Sequence, residues 1–326
     1  MIGNLGNIVR AALAAGLVAV ASPGASQPFS FAAIGDMPYF LPADYQRFEK
    51  LIAEINRRAP AFTIHVGDIK SGSTRCTDET FTTIAGYFAT FEAPLIYTPG
   101  DNEWTDCHRA NNGGFDPLER LAKIRSLFFP DDMSLGRKRL KLAQQSADPK
   151  FRKFVENARW THNNVTFATL HIIGSNNNLQ RNRAAVEEYL ERNDANLAWL
   201  EASFAEARTQ NRAALVLSIQ ANPHFEKHPD EKSGFNDFLA VLERETLAFG
   251  KPVLLIHGDT HYFRIDQPLT VGPQKRRADN FIRLEVYGER DVHGVLVSVD
   301  AADGVSPFTF RPILVRENFN DLRRPN

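Results

Sequence analysis

Four aspartates each follow a glycine at the end of a short apolar run: AAIG-Asp36, IHVG-Asp68, TPG-Asp101 and IHG-Asp259. His261 stands two residues after the last of them. A single Gly-Asp pair behind a strand is what ordinary turns are made of. Four in the same position relative to strand ends set up a different expectation. If those strands share a sheet, their carboxylates meet at one edge, where open α/β sheets build their sites. Clustered carboxylates repel and hold their protons unless a cation lies between them. Carboxylate, amide and imidazole groups gathered at such an edge are a donor set for a divalent metal.

Positioning these residues takes strands and helices in alternation, and the hydrophobic pattern supplies them. Strands are predicted over 29–35, 61–67, 93–98, 165–174, 213–220 and 251–258. Helices are predicted over 44–58, 79–91, 117–129, 184–209 and 233–249, the third opened by Pro117, whose missing N–H costs nothing there. From about residue 280 the pattern changes to alternating strands, FIRLEVYG, VHGVLVSVD and FTFRPILV. Residues 130–160, rich in Lys, Arg, Asp and Gln, read as a surface insertion. Without an internal repeat or a low-complexity linker, the chain reads as one α/β domain that finishes in a β-rich section.

The ordered pieces GDMPY (35–39), GDIKSG (67–72), PGDNEW (99–104), SIQANP (218–223) and HGDTH (257–261) resemble the motifs of the calcineurin-like metallophosphoesterases. NDANLAWLEASF (193–204) is similar to the helix that precedes the family's fourth motif. The resemblance extends over nearly all of residues 27–326. It implies a four-layer α-β-β-α sandwich, two packed mixed sheets flanked by helices. It also implies hydrolysis of phosphate mono- or diesters, by in-line attack of a metal-activated hydroxide on phosphorus. Carried onto this chain, it makes Asp68 the bridge between two ions, with Asp36 and His261 at the first position. Asp101 or Asn102, Gln220 and Asp259 would form the second.

The departures from the family pattern shape the chemistry. Pro38 stands at the first motif's histidine ligand and cannot ligate; Tyr39 beside it is a substitute or a core aromatic. In the third motif, one register puts Asp101 at the ligand and Asn102 at the family's histidine acid. An amide cannot give a proton as that acid does. The register shifted by one gives Asn102 as ligand and Glu103 as its neighbour. Gln220 takes the fourth motif's histidine, with His224 just beyond it, and Asp259 takes the first histidine of the fifth. This oxygen-rich set favours one or two hard ions, Mn²⁺, Mg²⁺, Ca²⁺ or iron, over Zn²⁺. His108 as acid and Arg109 as phosphate clamp are candidates for the missing functions, with pairing to Asp106 or solvent as the alternative. Lys70 and Arg75 are further phosphate-contact candidates. A second class of function is a relative that keeps the fold and only binds a metal, a phosphate-bearing ligand or a partner.

The formal charge of −1 argues against sequence-independent nucleic-acid binding. The chain has no Walker loop, G-x-S-x-G elbow or G-x-G-x-x-G turn, which argues against those enzyme classes. The resemblance implies a small phosphorylated substrate. At the N-terminus, Arg10 precedes the apolar run 11–21, then Pro23-Gly24 and Ala25-Ser26. That is the layout of a signal peptide (1–26) cut near Ser26, too short for a membrane span of about 20 residues, with an uncleaved N-terminal anchor as the alternative. A periplasmic or secreted protein is predicted, with no membrane span after cleavage. In an oxidising compartment the chain's two cysteines, Cys76 and Cys107, are expected to pair, a two-cysteine metal site being the alternative that no His-rich spacing supports. Their pairing would stabilise by about 3–4 kcal/mol through loop closure. Oligomeric state leaves no signature in the sequence.

Overall fold

The computed structural model describes residues 1–2, 27–226, 232–272 and 274–319. The predicted leader falls almost wholly on residues 3–26, outside them. In chain order the strands are β1 (Phe29–Ile34), β2 (Thr63–His65), β3 (Leu95–Tyr97), β4 (Ala143–Gln144), β5 (Ala158–His162), β6 (Val165–Thr169) and β7 (Ala214–Ser218). They continue as β8 (Val253–His257), β9 (Arg264–Asp266), β10 (Thr270–Val271), β11 (Arg276–Arg277), β12 (Phe281–Glu285), β13 (Gly294–Val299) and β14 (Phe308–Ile313). The helices are α1 (Ala43–Arg58), α2 (Asp78–Phe88), α3 (Pro117–Phe128), the single turn α4 (Gly174–Asn177), α5 (Arg183–Thr209) and α6 (Asn236–Phe249).

Two sheets carry the molecule. The first has strand order β14-β13-β1-β2-β3, and the second β4-β5-β6-β7-β8-β12-β9. β1, β2 and β3 are parallel, as are β6, β7, β8 and β12. Both sheets are therefore mixed: in the first, antiparallel β13 and β14 lie on one side of the parallel set, and in the second, antiparallel strands flank a parallel centre on both sides. The period-two alternation of β1 shows how the layers form. Phe31 and Ala33 face the second sheet and pack with Phe167, Val216 and Leu254. Ala32 and Ile34 face outward against Phe48, Phe81 and Phe128 of α1, α2 and α3. On the far side, Leu200, Phe204 and Phe238 of α5 and α6 cover Leu215 and Leu217 of β7. The result is the α-β-β-α sandwich that the sequence motifs imply.

The helices fall within three residues of their predicted ends, while the strands are shorter than their apolar runs. β2 stops at His65 because Gly67 and Asp68 are left-handed (φ 97° and 55°) and turn the chain out of the sheet. Segment 130–160 differs more. Beneath its charged surface, Leu142, Phe151, Phe154 and Ala158 are buried. β4 and the start of β5 form one edge of the seven-stranded sheet. Sparse apolar anchors in a charged run give no periodic signal. No helix among the described residues is long and apolar enough to cross a membrane.

Candidate metal centre

The aspartates lie on loops that leave the carboxyl ends of β1, β2, β3 and β8, and three of them are left-handed: Asp36 (φ 52°), Asp68 (55°) and Asp259 (81°). Asp tolerates that region better than most residues. The glycine before each aspartate has a concrete reason in two cases. A Cβ on Gly100 would stand 2.0 Å from Asp68 Oδ1, and one on Gly258 would stand 2.1 Å from Asp36 Oδ2. Each glycine makes room for the carboxylate of another motif, so the repeated Gly-Asp pairs interlock.

The backbone N–H of Asp259 donates to both oxygens of Asp36, at 3.1 and 3.0 Å. Asp68 Oδ2 accepts from Tyr39 Oη at 2.9 Å and from Asn102 Nδ2 at 2.7 Å, while its Oδ1 accepts from the Asn102 N–H at 3.1 Å. His261 Nε2 lies 3.3 Å from Tyr39 Oη and 4.0 Å from Asp36 Oδ1. Asp259 Oδ2 accepts from the Asn222 N–H at 2.9 Å. Gln220 Oε1 accepts from the Gly174 N–H at 2.6 Å. Asp101 Oδ1 and Asp259 Oδ1 both approach the point where a Cβ of Gly174 would stand, at 2.8 and 2.9 Å. Asp36, Asp68, Asp101, Asn102, Gln220, Asp259 and His261 are thus neighbours, but the strands before them do not share one sheet as expected: β1, β2 and β3 belong to the first and β7 and β8 to the second, so the residues meet where the ends of the two facing sheets come together.

Burial sets the electrostatics of this cluster. Burial first, and then neighbouring carboxylates, hold Asp36 and Asp68 well above the usual carboxylate range. Asp259 is pushed up to about 7 by burial and by Asp101, and Asp106 is pushed to about 7 by the same two causes. Lys70, wholly buried, is pushed down to about 8 by burial, against the pull of Glu103 and Asp68. Among the described residues no three Asp, Glu, His or Cys side chains form a metal cage by themselves. Here the donors are mixed: carboxylates alternate with the Asn102 and Gln220 amides and the Tyr39 hydroxyl. Unrelieved repulsion among buried carboxylates, with oxygen donors beside them, suits a divalent ion.

The catalytic candidates on the third loop separate. Asn102 sits in the cluster on Asp68. Glu103 lies beneath it, fully buried, with Oε1 accepting from the N–H groups of Gly100 (2.7 Å) and Asp68 (3.2 Å) and from Tyr97 Oη (2.6 Å). It braces two motif loops. Replacing it with alanine leaves three donors without an acceptor and is expected to cost about 3–5 kcal/mol. Glu103→Gln keeps the acceptor and should cost far less in a denaturant titration. His108 turns away: it is exposed, with Nδ1 2.6 Å from the carbonyl of Thr105. Arg109 pairs with Asp106 at 2.6 Å. Its Nη1 and Asn102 Oδ1 both lie close to Gly72, 3.3 and 2.9 Å from where a Cβ would be. The His224 ring lies edge-on to Phe235, 6.2 Å between centroids. The predicted disulfide between Cys76 and Cys107 is formed, and it ties the loop after Asp68 to the loop after Asp101.

Two contributors carry little sequence signal. Tyr39 stands among Asp68, Asn102 and His261; its place in GDMPY, directly behind Asp36, is the clue to it. The turn at Gly174–Asn178 closes over Asp101 and Gln220 and belongs to no motif.

Two facing mixed sheets, flanked by helices and ending in aspartate-bearing loops at one edge, define a metallophosphoesterase-type sandwich. The family model for calcineurin-like phosphoesterases matches residues 29–263, and the chain belongs to that family. A dimetal phosphatase from Danio rerio is similar in structure (TM-score 0.50, 12% identity), covering 88% of this chain and 99% of that one. PhoD is similar at TM-score 0.54 and 12% identity, over 89% of this chain and 69% of the other. The purple acid phosphatase PPD1 from yellow lupin (Lupinus luteus) seeds matches at TM-score 0.50 and 12% identity, over 91% and 56%. At these identities the likeness is one of fold. No curated protein matches the chain in sequence.

Proposed function

We propose that the chain is an exported, metal-dependent hydrolase of phosphate mono- or diesters. The observation that carries this reading is the meeting of Asp36, Asp68, Asp101 and Asp259, from four separate strand ends, in a buried cluster. Asp36, Asp68 and His261, with Asp101, Asn102, Gln220 and Asp259, would hold one or two divalent ions. Mn²⁺, Mg²⁺, Ca²⁺ or iron suits these donors better than Zn²⁺. Such an ion supplies Lewis-acid polarisation of a phosphoryl oxygen and lowers the pKa of a water.

The residues of the chain do the rest. Asn102 and Tyr39 orient the Asp68 carboxylate by donating to it. Arg109, half-exposed and steadied by Asp106, is available to a phosphoryl oxygen. A cleft of about 480 Å³, lined in part by Tyr39, Phe40, Gly72, Thr74, His261 and Glu289, opens beside the cluster. It has the size of a small-molecule site. Export is supported by the leader-like N-terminus and by the disulfide.

The test is an assay of chelator-stripped protein, reloaded with Mn²⁺, Mg²⁺, Ca²⁺ or Zn²⁺, on p-nitrophenyl phosphate and its bis-ester, with elemental analysis alongside. Turnover restored best by Mn²⁺ or Mg²⁺ is expected. No turnover with any ion, together with no bound metal, rules the proposal out. One observation favours a second reading: apart from His261, the donors that meet around Asp36 and Asp68 are carboxylates, an amide and a hydroxyl, fewer imidazoles than the family motifs carry. A protein that binds ions without turnover would be the non-catalytic relative.

A further inference from the structure

The turn between β6 and α5 has an unusual backbone. Ser175, Asn176, Asn177 and Asn178 are all left-handed, with φ of 49°, 53°, 53° and 63°. Asparagine tolerates this region; serine does so less readily. Four such residues in a row persist only where their surroundings hold them. The holder is Arg192 of α5, wholly buried. Its Nη1 donates to the His171 carbonyl at 2.8 Å and to Asn177 Oδ1 at 2.6 Å, and its Nη2 donates to the Asn177 carbonyl at 3.0 Å. Glu188 fixes the guanidinium from behind, 2.6 Å from Nε. From the other side, the Gly234 N–H donates to Asn176 Oδ1 at 2.8 Å, and Asn177 Nδ2 donates to the Gly234 carbonyl at 3.1 Å.

What this clamp achieves lies at the tip of the turn. The Gly174 N–H holds the oxygen of Gln220. Ser175 Oγ donates to Asp101 Oδ2 at 2.6 Å and lies 3.4 Å from Asp106 Oδ1. With Oδ2 engaged, Asp101 keeps its other oxygen beside Asp259 Oδ1, next to Gly174.

We propose that Ser175 is a positioning residue of the metal centre. Its hydroxyl, held in place by the Arg192–Asn177 clamp, engages Asp101 Oδ2 and leaves Oδ1 on the Asp259 side, where the two carboxylates would hold an ion. The proposal rests on the metal-hydrolase reading above. Partners of this outer kind change metal affinity by about 10–100-fold when removed.

Two substitutions separate the hydroxyl from the backbone. Ser175→Gly deletes the donor but suits a positive φ, so folding stability should hold or rise. Ser175→Asn also suits that φ and brings an amide donor. Mn²⁺ affinity, read by chelator competition, should fall about 10–100-fold in Ser175→Gly. It should return to within a few-fold of wild type in Ser175→Asn, while the melting temperature of neither metal-free variant drops. Wild-type affinity in Ser175→Gly overturns the proposal. So does a loss of affinity matched by a loss of melting temperature, or one that Ser175→Asn fails to recover. Wild-type protein that binds no Mn²⁺ counts instead against the hydrolase reading itself.

Discussion

Asp68→Asn is expected to abolish metal binding and turnover while making the metal-free protein more stable. Asp68 is buried and held well above the ordinary carboxylate range by burial and by Asp101, Glu103, Asp36 and Asp259. Asparagine has its shape, tolerates its left-handed φ of 55°, and carries no charge. One acceptor is lost, but the pocket can adapt. If the new oxygen keeps the Asn102 N–H, the new amide meets Tyr39 Oη, which can accept, and Asn102, whose amide can turn over. Relief of repulsion should therefore raise the melting temperature of the stripped protein, by about 2–4 °C for each kcal/mol relieved. If Asp68 holds an ion as proposed, loss of its carboxylate should lower turnover at least about 100-fold, the upper end of what outer partners cost. Calorimetry of the stripped protein and the p-nitrophenyl phosphate rate, on the same preparations, check both halves. A variant with wild-type activity would remove Asp68 from the site. One that loses activity and stability together would make it a fold residue.

Opposed effects of that kind also explain which parts of this protein can be read from its sequence. The layers could be, because Phe31 and Ala33 face one way and Ala32 and Ile34 the other, and α1 repeats its apolar residues at helical spacing. The aspartates could be, because each breaks a strand with a Gly-Asp turn that local propensity alone explains only one at a time. Ser175 could not. Its role depends on Arg192, 17 positions further on, and on Asp101, 74 positions earlier. Glu103 misleads for the converse reason: it sits beside the candidate ligands Asp101 and Asn102 in sequence, yet its side chain points beneath them to the N–H groups of Gly100 and Asp68. Segment 130–160 hides its contribution because its few buried apolar residues, Leu142, Phe151 and Phe154, are spread through a run of charges that face solvent. Contacts between distant segments, rather than composition, decide these cases.

Metal affinity should rise steeply with pH, and the stabilisation by metal should rise with it. Asp259 is pushed up to about 7, so near pH 5 it holds a proton that an ion must displace. Each proton displaced gives about a tenfold gain in affinity per pH unit, or about 1.4 kcal/mol. The stability of the metal-free protein alone is a poor measure, because opposing groups titrate in the same range. A raised Asp259 contributes stability that is present below about pH 4 and is lost as pH climbs towards 7. His65 and His257, both pushed down to about 3 by burial, contribute stability that is present above about 6.5 and is lost as pH falls. These slopes oppose each other between about pH 4 and 6.5. The difference between metal-loaded and metal-free protein removes the histidine contribution, since both states keep those imidazoles buried. The unfolded chain is common to both and cancels as well. At a fixed excess of Mn²⁺, the shift in melting temperature should be small at pH 5 and grow through pH 7. At 1,000 times the dissociation constant it corresponds to about 4 kcal/mol. A shift independent of pH across that range would mean that the ion meets carboxylates already ionised, and that Asp259 is not among its ligands.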